Sequence, residues 1–244
     1  MKKATLALLA IMAFICSTGV AAYATPSKQI WIPSTDVQPL GTVHLGVDNY
    51  TTVFKKQTEG GHNSPVDIGA TVGVLETIFM NVEAGLDIKE ATDDPLFLNA
   101  KLGIKEDSLT KFFPAIAIGG YDFGTKPDVT DYNILYVELS KTIASIGRFT
   151  AGYYVGNDKL LKNTKGEKEN DGALLSFDRT MAEISPNLWF AVDYMGGQNV
   201  YGALSFGLSW KFSPHISAIL GYDIYNDSKI AGKDTATIQF DLDF

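Results

Sequence analysis

Polar and apolar residues alternate along most of this chain with period two, the signature of extended strands that carry one wet and one oily face. The last ten residues show it without a break: Thr235, Thr237, Gln239, Asp241 and Asp243 interleave with Ala236, Ile238, Phe240, Leu242 and Phe244. Read this way, the sequence predicts about twelve strands, near 41–53, 66–74, 79–88, 95–104, 114–122, 132–140, 147–156, 172–181, 187–195, 200–210, 215–224 and 235–244. Each is about as long as a tilted strand needs to be to cross a bilayer. Connections after odd-numbered strands include the long polar stretches 55–65, 122–131 and 157–171, while those after even-numbered strands are mostly short. Long loops at one end and short turns at the other are the pattern of a transmembrane barrel, and an even strand number returns the C-terminus to the side of the N-terminus.

The N-terminus carries a different signal. Lys2 and Lys3 precede an apolar run from Ala4 to Ile15, and Ala22 and Ala24 flank Tyr23, so residues 1–24 read as a cleavable secretory signal peptide. The single cysteine, Cys16, lies within it and follows Phe14 and Ile15 instead of a small residue, which argues against lipidation and leaves the mature chain without disulfide chemistry. No later stretch reaches the roughly 18 unbroken apolar residues of a spanning helix. Residues 25–38, with Trp31 and Pro33, read as a periplasmic tail or a plug, and 39–244 as a single transmembrane barrel domain. Without Lys2 and Lys3, 18 basic side chains face 28 acidic ones, a formal charge of −10. That balance argues against a nucleic-acid partner.

Aromatic residues cluster at the ends of the expected strands, as interfacial Trp and Tyr do. Tyr50, Tyr121, Tyr132, Tyr153, Tyr194, Tyr201 and Tyr222 fall near the outer ends, and Phe79, Phe112, Phe113, Trp189, Trp210, Phe212 and Phe244 near the inner ends. The signal, the parity of the loops, the two girdles and the terminal Phe244 together resemble the porin-like β-barrel superfamily of Gram-negative outer membranes. The resemblance implies an all-β, antiparallel, up-and-down transmembrane barrel in the bacterial outer membrane, surrounded by lipid and lipopolysaccharide. It also implies that the barrel assembly machinery reads Phe244 as an assembly signal. The likeness identifies a class of architecture and no particular solute.

If the apolar set faces lipid, the lumen receives an almost wholly polar and mostly acidic set that includes His44, Asp48, Asp67, Asp87, Asp193, Asp223, Asp241 and Asp243. Antiparallel partners have a constant sum of residue numbers, so candidate charge pairs can be read from the turns. A loop centred near Thr92 sets Glu83 opposite Lys101, and one centred near Asn163 sets Arg148 opposite Asp178. A turn centred on Ala144 or Ile143 sets Glu138 opposite Arg148, completing a row across the wall that is a candidate constriction or gate. Paired charges of this kind also serve simply to neutralise the wall of a narrow barrel.

Other chemistry is sparse. No serine-hydrolase elbow, zinc-protease motif or metal-spaced Cys/His cluster occurs, and no cofactor or metal site is expected. His44 with Asp48 is the nearest approach to an acid–base pair. The loop acids Asp93, Asp94, Asp122, Asp128 and Asp131 lack the spacing of a calcium loop and read as solvated. The expectation is therefore a narrow channel for small solutes, with cation preference. The alternative is a structural or binding barrel acting through its outer loops as an adhesin, receptor or assembly partner. An outer-membrane enzyme is disfavoured by the missing nucleophile and base, and the sequence does not fix the oligomeric state.

Overall fold

A computed structural model describes residues 27–59, 61, 65–90, 92–144 and 146–244, so the signal segment 1–24 lies outside the described residues. The alternating segments form twelve strands: β1 (Val43–Thr51), β2 (Val66–Glu76), β3 (Met80–Lys89), β4 (Leu96–Ile104), β5 (Ala115–Gly124), β6 (Asp131–Ile143), β7 (Gly147–Val155), β8 (Asp171–Thr180), β9 (Leu188–Met195), β10 (Ala203–Ser213), β11 (Ile216–Tyr225) and β12 (Thr235–Asp243). Each strand is antiparallel to its neighbours, and pairing of β1 with β12 closes the sheet into an up-and-down barrel. Closure removes the free edges that an open sheet would expose. At the seam, Val43 and Phe244 exchange backbone hydrogen bonds of 2.9 Å in both directions, so the last residue takes part in closing the barrel.

The outer surface is apolar on every side. Val47, Leu86, Ile118, Val137, Leu175 and Leu220, drawn from six different strands, are all exposed. A soluble monomer rarely shows so continuous an apolar surface, whereas a hydrocarbon band of this kind is what a bilayer-spanning barrel presents. Short turns at 77–79, 144–146 and 214–215 mark one rim, and the loops 52–65 and 156–170 mark the other. They are called below the short-turn rim and the long-loop rim.

Side-chain parity revises the two aromatic girdles. Tyr153 and Phe212 face outward as expected, and Tyr222 stacks on Phe206 at 6.1 Å. Tyr50 instead shares the inward face of His44 and Asp48 and meets Trp31 edge-on at 5.5 Å. Tyr121 packs inside against Tyr136, and Trp189 donates its indole N–H to Asp178 Oδ2 at 3.1 Å within the lumen. Position along a strand locates the rim, but only the odd or even count decides between lipid and lumen.

The core of this barrel lies between its wall and its own N-terminal segment. Residues 27–42 leave the short-turn rim, where Leu40 bridges Gly73 and Gly41 takes a φ of +81°, and run into the lumen as a strap. A Cβ at Gly73 would overlap the Pro39 carbonyl oxygen, so glycine is what lets the strap pass the wall there. The strap turns at Ile30 and Trp31, with Gln29 N donating to Ile32 O at 2.8 Å and Ser34 N to Ser27 O at 3.2 Å. Ile32 packs among Ala117, Ile134, Tyr136, Tyr154, Leu174 and Met195, while Ile30 packs against Ala191 and Ile219. Full burial of each isoleucine stabilises the docked strap by about 1.5–3 kcal/mol.

Candidate functional site

The lumen is divided by the strap, and the charged wall residues are what hold it. Glu83 and Lys101 are register partners in β3 and β4, with Nζ to Oε1 3.1 Å. Both also grip the strap: Gln38 N donates to Glu83 Oε2 at 2.6 Å, and Lys101 Nζ donates to the carbonyls of Ser27 at 2.8 Å and Ser34 at 3.2 Å. Arg148 and Asp178 are likewise register partners, with Nε to Oδ1 2.9 Å. The Arg148 guanidinium also reaches both oxygens of Asp36 on the strap, at 2.8 and 2.7 Å, a two-pronged contact that only a planar fork can make.

Glu138 does not join this row. The β6–β7 turn is centred on residue 145, so Glu138 stands opposite Gly152, and Arg148 opposite Thr142. The strands simply continue two residues closer to the turn than their alternation indicates, a shift that preserves parity and so leaves Glu138 in the lumen. There it is fully buried, with no hydrogen-bond partner for either carboxylate oxygen among the described residues. Its neighbour two positions along the same face, Ser140, accepts from Thr35 Oγ1 of the strap at 2.9 Å.

The opposite wall holds the turn of the strap. Asp193 Oδ2 accepts the backbone N–H groups of Ile30 at 2.8 Å and Trp31 at 3.0 Å, and Gln239 Nε2 donates to Ile30 O at 2.9 Å. A carboxylate that receives two backbone donors makes a strong charge-assisted contact. The Trp31 indole donates to Tyr201 O at 2.8 Å and its ring lies edge-on to Tyr50 and Tyr225, so the strap reaches the aromatic residues of the long-loop rim.

Between the strap and the β1–β5 side of the wall remains a cavity of about 190 Å³, lined among others by Asp48, Asp67, Glu83, Asp87, Asp122 and Asp241 against Lys28, Lys89 and Lys101. A second cavity, toward the short-turn rim, is lined by Asp36, Arg148, Asp243 and Lys211 and shares His44 and Asp241 with the first. His44 thus stands where the two spaces meet. Its Nδ1 is 2.8 Å from Asp243 Oδ1 and its Nε2 is 3.5 Å from Asp241 Oδ1, so its partners are β12 carboxylates; Asp48 is bound by Lys28 instead. Asp87 accepts from Asn99 at 2.8 Å, Asp223 from Thr235 at 3.0 Å and Asp241 from Ser217 at 3.1 Å.

Two lumen residues were not in the expected set. Asp122, read above as a solvated loop acid, is buried: a register shift between Tyr121 and Phe123 and a φ of +56° turn it inward. It accepts from Lys89 Nζ at 2.6 Å and from the Tyr201 hydroxyl. Lys89 also reaches its register partner Asp67 at 3.5 Å. A strand boundary drawn one residue short hid Lys89, and a bulge has no period-two signature by which Asp122 could be found. Asp94 and Asp128 do behave as loop acids, paired with Lys126 and Lys159 near the surface.

No protein-family model and no curated protein matches this sequence. Solved structures do resemble the fold. The NanC porin superposes with a TM-score of 0.50 at 14% identity, covering 82% of this chain and 98% of that one. This barrel has the porin fold. An outer-membrane channel from Pseudomonas putida F1 gives a TM-score of 0.49 at 12% identity over 91% of this chain and all of that one, and Omp33 of Acinetobacter baumannii gives 0.40 at 9% identity over 84% and 97%.

Proposed function

We propose that this protein is a narrow, cation-preferring channel of the bacterial outer membrane, constricted by its own N-terminal strap. The observation that carries the reading is the asymmetry of the lumen. The strap does not fill the barrel; it leaves a cavity along β1–β5 whose lining carries six carboxylates against three lysines and meets the inner cavity at His44 and Asp241. Acidic groups inside a low-dielectric wall focus a field that concentrates cations and repels anions. The porin fold, the apolar outer belt and the amphipathic terminal strand support residence in the outer membrane, with lipid and lipopolysaccharide around the barrel. A porin role also supports a non-enzymatic reading, since His44 lies between two carboxylates and the only hydroxyl bound to either is Ser217, a donor to Asp241.

The test is the reversal potential of the refolded protein in a planar bilayer across a potassium chloride gradient. Cation selectivity is expected. Anion selectivity would overturn the reading, and a barrel silent even with the strap displaced would turn attention to binding through the outer loops.

A further inference from the structure

The β1–β2 register sets Asp48 directly opposite Asp67, two carboxylates side by side on the lumen wall. Like charges in that relation repel and need a cation between them. In this structure the cation belongs to the strap: the Lys28 ammonium is in contact with Asp48, where it lies at the edge of the cavity beneath Trp31 and Tyr50. Asp48 is only 6% exposed, yet its Oδ1 faces this space with no hydrogen-bond partner among the described residues, and the same is true of Oδ1 of Asp67. Lys28 therefore satisfies the pair incompletely. Among the described residues, no group of three or more His, Cys, Asp or Glu is arranged to hold a metal ion, so the cradle suits an organic cation better than a coordinated metal.

We infer that the Asp48–Asp67 cradle is a binding site for primary alkylammonium solutes, with Lys28 as a built-in competitor. The terminal four carbons and ammonium of a lysine side chain are chemically a butylammonium ion, so the structure already displays the class of group that the cradle accepts. The carboxylates take the charged head by charge-assisted hydrogen bonds, and the rings of Trp31 and Tyr50 line the space for the alkyl tail. The cavity carries more acids than bases even with Lys28 seated, so a soluble amine that displaces it meets a net attractive field.

The inference deepens the channel reading by naming a solute class, and it rests on the lumen being open to solutes. Its test does not need conductance. Refolded full-length protein in detergent micelles is titrated calorimetrically with n-butylammonium chloride, with sodium butyrate and 1-butanol as controls. The expected result is weak binding of butylammonium to the wild type, at least tenfold tighter binding after Lys28→Met vacates the cradle, and loss of that gain when Asp48→Asn is added. Should Asp48→Asn prevent folding, Asp67→Asn removes the other half of the pair with the same expectation. Equal affinity in wild type and Lys28→Met, or binding of butanol as tight as that of the amine, would overturn the site. A barrel that binds butylammonium but passes no current overturns the channel reading alone, whereas one that conducts cations without affinity for the amine in any variant overturns this inference alone.

Discussion

Arg148 shows what the lumen charges do. Its guanidinium bonds Asp178 of the adjacent strand and Asp36 of the strap, so one cation secures both wall and strap against each other. Arg148→Glu would set three carboxylates together and repel the strap near the short-turn rim; single-channel conductance is expected to rise and become more cation selective, while the outward-facing strand surface is untouched. A conductance unchanged from wild type would mean that the strap does not limit the path. The wall half of this site was legible in the sequence, because Arg148 and Asp178 fall opposite each other once the intervening loop is centred, and so do Glu83 and Lys101. The strap half was not. Asp36, Lys28 and Gln38 belong to a stretch without periodicity, so nothing in their spacing announces a partner more than 100 residues away in the case of Asp36 and Arg148. Glu138 failed for a smaller reason: a tight turn placed two residues off changes the partner while leaving the face correct.

The strands themselves were readable because each has to satisfy two solvents at once. Lipid on one face and a polar lumen on the other enforce strict alternation, and all twelve elements follow it closely. Bulges are the exception, as at Tyr121 to Phe123, where one extra residue turns Asp122 inward without leaving a trace in the pattern. The terminal strand carries an additional demand. Phe244 contributes both backbone hydrogen bonds that join it to Val43 at the seam, and its resemblance to the terminal aromatic of outer-membrane barrels makes it a candidate assembly signal. Deleting Phe244 is expected to reduce the amount of protein assembled in the outer membrane, measured by fractionation, more than it lowers the stability of barrels refolded in detergent. Normal assembly of the truncated chain would remove that residue from the assembly role.

At the scale of the whole molecule, an inverted arrangement of polarity is what distinguishes this protein from a soluble sheet. Apolar side chains cover its exterior, while ion pairs, amides and the strap fill its interior. Val137→Arg, midway along β6 on the exposed face, is expected to destabilise the refolded barrel in lipid by about 2–4 kcal/mol, the cost of a cation near the bilayer midplane. Asn99→Arg should cost less, since Asn99 already lies in the lumen against Asp87. Urea unfolding of the two variants in the same vesicles separates these outcomes, and equal losses would argue against a lipid-facing β6. The central claim, that a docked strap narrows a cation-conducting lumen, is tested most directly by single-channel recording of the full-length chain beside Ile30→Asp/Ile32→Asp, which undocks the strap by burying charge where two isoleucines now pack. A small cation-selective conductance in the wild type and one several-fold larger in the double variant are expected; equal conductances, or anion selectivity in both, would contradict the account.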